Sequence, residues 1–195
     1  CGLEQFDFSA SELAVVDLDG DVDLDLVVFD GQGAALRVFS NHRAWKFSEV
    51  EQVAGSAPRG VVSVTSGDLD GDGDEDLVAF CGDRLQLLRN DGQLKFSQDK
   101  DFSARYGSLG GTGGALFDFD GDMALELLVA DARLAEGAGG AALVSPGERA
   151  RSFDLSRKAA GGAVSVLAAA MGINGGLELI VAGTAGGVSS HSLEL

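Results

Sequence analysis

The chain has 195 residues, enough to bury a real core, and 45% of them are hydrophobic, which excludes general disorder. Its 31 acidic against 14 basic side chains give a formal net charge of -17, so no basic stripe exists to bind a nucleic-acid backbone. The longest apolar run, around Ala163–Ile173, is about half of the ~20 residues a membrane helix needs, and two cysteines without a CxxC pair suggest neither a disulfide framework nor zinc.

In chain order, Gln5–Ser9 reads as a short spare strand similar to Lys46-Phe47-Ser48 and Lys95-Phe96-Ser97. An apolar run, Leu13–Val16, then enters the acidic stretch Asp17-Leu-Asp-Gly-Asp-Val-Asp-Leu-Asp25 and leaves it as Leu26–Phe29. The pattern returns as Val61–Val64, Asp68–Asp76 and Leu77–Cys81, and again as Ala115–Phe117, Asp118–Glu126 and Leu127–Ala130. A decayed copy follows as Val164–Ala169, Ala170–Glu178 and Leu179–Ala182. The ninth loop positions, 25, 76, 126 and 178, lie 51, 50 and 52 residues apart, a regularity that identifies a repeat architecture.

Each repeat continues through a Gly-containing turn into a third segment, Ala35–Phe39 or Arg84–Leu88, and a fourth centred on Phe47, Phe96 or Phe153. Short Val- and Phe-rich runs punctuated by Gly, Asn and Asp predict strands joined by hairpins, and no stretch carries a sustained 3.6-residue period with caps. The expected fold is therefore all-β: a single β-propeller domain over 1–195 of about four four-stranded blades, with repeats near 10–53, 60–100, 112–156 and 162–195. The last repeat stops after its third strand, Gly187–Leu193. Pairing it with 1–9 would close the ring and remove an open sheet edge. Only about four residues join Phe8 to Leu13, barely enough at ~3.3 Å each to cross a blade, so closure by a second copy of the chain stands as the alternative.

Carboxylates on alternate residues of a tight loop repel one another unless they surround a cation. The first loop offers Asp17, Asp19, Asp21 and Asp25 as side-chain ligands and Asp23 through its carbonyl. The second offers Asp68, Asp70, Asp72 and Asp76, with Asp74 as the carbonyl position. The third offers Asp118, Asp120, Asp122 and the longer Glu126, with the carbonyl of Ala124. The fourth keeps only Asn174 and Glu178 and is expected to bind nothing. An all-oxygen set with flexible geometry selects calcium over magnesium and gives zinc or copper no nitrogen or sulfur donor. Two calcium sites are expected, with a third at the Glu126 loop. Fifteen of the 31 acids fall in these three loops, a concentration that ordinary surface charge does not produce.

The motif D-x-D-G-D-x-x-x-D/E-L followed by two aliphatic residues resembles the FG-GAP (or VCBS) repeats, whose blades form the propeller heads of integrin α-subunits and many bacterial surface proteins. The resemblance implies calcium held in the turn between two strands of a blade. The chain departs from the family in offering four repeats where its propellers usually have seven, and in keeping little of the Phe-Gly/Gly-Ala-Pro signature.

Cys1-Gly2 looks like the mature start of a bacterial lipoprotein, with Cys1 as the lipidated residue; a trimmed fragment is the alternative. Cys81 is then an unpaired buried thiol. His42 and His191 sit in different repeats beside no catalytic pattern, and the Gly-rich stretches Gly110–Gly114 and Gly183–Gly187 lack the Lys-Ser/Thr of a phosphate loop and read as inter-blade turns. The expected function is a non-catalytic, calcium-stabilised interaction module outside the cytoplasm, an accessory subunit of a larger surface or membrane complex. Its partner is a protein, with no nucleic acid, and it meets a membrane only through a Cys1 anchor or a membrane-protein partner. The alternative is a lectin-like propeller, for which the chain supplies one Trp (Trp45) and one Tyr (Tyr106).

Overall fold

The computed structural model describes residue 3 and residues 9–30, 36–44, 46–52, 57–119, 121–133, 139–145, 151–153, 163–170, 177–183 and 188–192; in 131–133, 139–141 and from 151 onward it describes backbone only. The spare strand at 5–8, Trp45, Cys1 and most of the fourth loop lie outside these residues.

The described strands form four antiparallel sheets, each an up-and-down meander. The first contains β1 (Ala10–Val16), β2 (Asp25–Asp30), β3 (Leu36–Asn41) and β4 (Phe47–Val50). The second contains β5 (Ser63–Gly67), β6 (Asp76–Phe80), β7 (Leu85–Asn90) and β8 (Phe96–Gln98). The third contains β9 (Gly113–Phe117), β10 (Glu126–Arg133), β11 (Gly139–Val144) and β12 (Arg151–Phe153), and the fourth β13 (Ala163–Ala170), β14 (Leu177–Gly183) and β15 (Val188–Ser192). The repeat thus maps onto sheets as its spacing predicts. In each of the first three, the acidic loop joins the first strand to the second.

Successive sheets stack face to face. Val27, Phe29, Leu36 and Val38 of the first pack against Leu77, Ala79 and Leu88 of the second. The other face of the second sheet, with Val78, Phe80, Leu85 and Leu87, packs on Leu127, Val129, Ala142 and Val144 of the third. All five residues of β6 are consequently buried, which explains its unbroken apolar run. First strands lie side by side in order, β1 by β5, β5 by β9 and β9 by β13.

Two expectations are corrected. A helix, α1 (Lys100–Tyr106), follows the second sheet: Asp99 caps it by accepting from the Phe102 N–H at 2.8 Å, and Phe102 and Tyr106, one turn apart, bury against that sheet. Seven residues are too few to register as a periodic pattern. The Gly110–Gly114 stretch is also not wholly a turn, because Gly113 and Gly114 belong to β9. Gly114 is required there by close approach, since a Cβ would lie 2.1 Å from the Leu128 carbonyl oxygen and 2.8 Å from the Phe80 ring. Gly114→Ala should therefore destabilise the fold by about 1–3 kcal/mol, read as a lowered midpoint in urea with unchanged slope.

Candidate functional site

The ninth loop residue is a buried carboxylate in every described loop: Asp25 is 0% exposed, Asp76 1% and Glu126 3%. Its position is fixed by backbone donors. Asp25 Oδ2 accepts from the Leu18 N–H at 3.0 Å and Oδ1 from the Asn41 N–H at 2.8 Å. Asp76 repeats the arrangement with Leu69 at 3.4 Å and Asn90 at 3.0 Å, and Glu126 Oε2 accepts from the Phe119 N–H at 2.7 Å. The ninth side chain therefore ties the second residue of its loop, and in the first two sheets also the end of the third strand. That second residue, Leu18 or Leu69, is itself buried in the core beside its sheet.

The first loop residue organises the turn. Asp17 Oδ2 accepts from Val22 N–H at 3.0 Å; Asp68 accepts from Gly71 at 2.7 Å and Gly73 at 3.0 Å; Asp118 accepts from Gly121 at 2.7 Å and Met123 at 3.0 Å. Asp21, Asp72 and Asp122 each accept from the N–H two residues on, at 2.9, 3.0 and 2.8 Å. Gly at position 4 has φ of 71°, 77° and 82° in the three loops, as the tight turn demands. Position 6 shares this left-handed geometry, with Val22 at 74°, Gly73 at 93° and Met123 at 74°.

These turns gather carboxylates. One oxygen from each of Asp17, Asp19 and Asp21 lies within 4.8 Å of the others, and Asp68, Asp70 and Asp72 form the same group. Asp25 and Asp76 stand behind these triads, engaged by backbone. Asp23 and Asp74 are half-buried and stand outside these triads, with Asp23 paired to Arg43 at 3.0 Å. In the third loop Asp120 lies outside the described residues, while Asp118, Asp122, Ala124 and Glu126 reproduce the turn. Residues 171–176, with Asn174, are likewise outside.

The donor set suits a hard divalent ion. All offered atoms are oxygens, and Asp17 Oδ1 is shielded from solvent yet meets no hydrogen-bond donor among the described residues. Burial, and after it the Asp21 charge, raises the pKa of Asp19. Burial also raises Asp25 and Asp76, outweighing the backbone N–H groups that stabilise their charge.

Sequence reasoning missed Asn41, Asn90 and Arg89. Asn90 Nδ2 donates to the Leu18 carbonyl at 2.8 Å, joining the second sheet to the first loop, and Arg89 pairs with Asp76, with Asp70 at 3.3 Å and with Asp99 at 3.2 Å. For Asn41 and Asn90 the signal was a shared Asn that closes the third strand, at different distances from the ninth carboxylate in the two repeats; Arg89 had none.

Other singled-out residues play different parts. Tyr106 is 3% exposed, donates to the Ser145 carbonyl at 2.9 Å and meets Phe102 edge-on, so its ring is closed to a sugar. Cys81 is buried, which raises the pKa of its thiol. His42 Nε2 lies 2.6 Å from Ser48 Oγ on an exposed hairpin.

Two outcomes follow from this geometry. Val22 is β-branched, 86% exposed and left-handed, so Val22→Gly relieves strain without losing packing and should stabilise by roughly 1 kcal/mol, a rise of about 2–4 °C in Tm. In chelator, lowering the pH from neutral toward the ordinary carboxylate range should raise Tm. Carboxyls with raised folded pKa penalise the fold above that pKa, and protonation relieves the penalty. The opposing loss comes lower, because Arg37 holds the pKa of Glu49 below its ordinary value and that pair fails only as pH falls through it. A metal-free Tm that falls steadily from neutral pH would contradict this.

Residues 17–79 match the model of the FG-GAP-like repeat, a span that opens on the first acidic loop and ends in β6. No curated protein matches the chain. Among the described residues no helix is long and apolar enough to cross a membrane. With its acidic turn between antiparallel strands, repeated in register, the segment 17–79 is an FG-GAP-like repeat.

Proposed function

We propose that the chain is a non-catalytic, calcium-stabilised protein-interaction module of propeller type, acting in a calcium-rich setting outside the cytoplasm. The observation that carries this reading is the Asp17–Asp19–Asp21 cluster, in which three carboxylates converge while Asp17 Oδ1 is buried without a donor among the described residues. In the first loop calcium would be held by Asp17, Asp19 and Asp21, with Asp25 behind them and the Asp23 carbonyl at the rim; the second loop offers Asp68, Asp70, Asp72, Asp76 and Asp74 in the same order. Calcium supplies counter-charge there, not chemistry. The chain's own residues do the rest: Asp25 and Asp76 fix the loop, and the buried Leu18 and Leu69 carry its rigidity into the sheet packing.

The side-by-side order of first strands supports a propeller, in which stiff sheets present loops at one end for binding. The His42–Ser48 pair is exposed, and among the described residues no carboxylate meets its other ring nitrogen, which gives a hydrolytic reading little support. Buried Tyr106 likewise gives no support to a carbohydrate platform.

Melting in excess chelator and in millimolar calcium tests the metal. A saturated site at a hundredfold excess over Kd contributes about 2.7 kcal/mol, so calcium should raise Tm by roughly 5–10 °C per site. Equal melting temperatures in the two conditions would remove calcium from the reading.

A further inference from the structure

The two complete acidic loops are not equivalent, and the difference lies in one side chain of a neighbouring strand. Strand register fixes the comparison: Leu26 pairs with Phe39 in the first sheet and Leu77 with Leu88 in the second. One residue further stand Ser40 and Arg89, and one beyond that Asn41 and Asn90, whose N–H groups hold Asp25 and Asp76. The third sheet, by its Leu127–Val144 pair, has Ser145 at the same place. Arginine therefore occurs here only in the second of these three sheets.

Arg89 reaches into its loop. Its Nη1 pairs with Asp76 at position 9 and with Asp70 Oδ2 at position 3, 3.3 Å away, while Nε pairs with Asp99 at 3.2 Å. It thus spans two of the four side-chain positions that a divalent ion would use and anchors itself on the carboxylate capping α1. In the first loop, Ser40 is short and buried, and the one ion pair among described residues goes to Asp23, which lies outside the Asp17–Asp19–Asp21 group. Asp17, Asp19, Asp21 and Asp25 have no basic partner among the described residues.

We propose that Arg89 is the resident cation of the second acidic loop, so that this loop is held without metal and the first loop is the one that answers to calcium. The inference rests on the calcium reading of the first loop. A divalent ion entering the second loop must displace the guanidinium from Asp70 and Asp76 and then bear its repulsion at close range, which lowers affinity there.

Calcium titration by calorimetry, with terbium luminescence as a second probe, tests this on the full chain. The unmodified protein should show one site at least about tenfold tighter than any other associated with these two loops, and Asp19→Asn should remove it. In the Asp19→Asn background, Arg89→Ser, which installs the first loop's residue, should tighten the second loop about tenfold or more. Arg89→Met, which keeps the aliphatic stem, guards against a packing artefact and should do the same. In chelator, both Arg89 variants should melt lower than the parent, and calcium should restore them. Equal affinities at the two loops, or Arg89 variants with unchanged second-loop affinity, overturn the assignment while leaving calcium binding in place. No calcium at the first loop, with a site gained on replacing Arg89, keeps the assignment and removes the calcium reading of the first loop. No binding in any variant overturns both.

Discussion

A carboxylate buried at the ninth place of each described acidic loop is the constraint on which the rest depends. Asp25, Asp76 and Glu126 are almost without solvent, and a charge in that position is tolerable only because fixed backbone N–H groups point at it. The donors come from two places at once, the start of the acidic loop and, in the first two sheets, the end of the third strand. Removing the carboxylate would orphan both. In the first two sheets the acidic turn is therefore a junction at which three strands are tied, rather than an appendage on a finished sheet.

This constraint explains the alternation of the loop. Position 9 faces inward to its donors, position 2 supplies one of them and buries a leucine, and positions 1, 3 and 5 are left to share the remaining side of the turn. Crowding three carboxylates there raises the free energy of the metal-free loop, which is the physical demand for a counter-cation. A divalent ion from solvent would meet that demand in one way, and the Arg89 guanidinium, from the third strand of the second sheet, in another. The first responds to concentration; the second is permanent.

Much of the fold was legible because strands, turns and loops recur at a nearly constant interval, so a weak signal was read several times. Asp17–Asp25 and Asp68–Asp76 could be aligned residue by residue, and the strands around them fell where the pattern placed them. What escaped was whatever broke the repeat. Asn41 follows Asp25 by 16 residues whereas Asn90 follows Asp76 by 14, and that two-residue difference hid their common role. Arg89 has serine at the matching places, so no repetition pointed to it. Helix α1, among the described residues, occurs after one sheet only, so no repetition pointed to it either. The ninth carboxylate was legible as important, but its ties to Leu18, Asn41, Leu69 and Asn90 depend on third-strand register, which loop spacing does not encode.

The ties also run between sheets. Asn90 uses its backbone to hold Asp76 and its side-chain amide to hold the Leu18 carbonyl, while the Leu18 N–H holds Asp25. One peptide stretch of the first loop is thus clamped by a carboxylate of its own sheet and by an amide of the next. In a stack where each sheet touches mainly its neighbours, stability is set by such boundary contacts, and whatever orders one loop is felt by the adjoining sheet. The third repeat places Pro146 where the first two place Asn, and proline offers neither an N–H nor a side-chain amide. An Asn-mediated link of this kind therefore has no donor there, and the second boundary is joined instead by the Gly111 N–H to the Gly82 carbonyl at 3.1 Å, by Tyr106 to the Ser145 carbonyl, and by the apolar packing of Val78, Phe80, Leu127 and Val129. Order imposed on the first loop therefore propagates most directly into the second sheet, where Arg89 already supplies the charge that the first loop lacks.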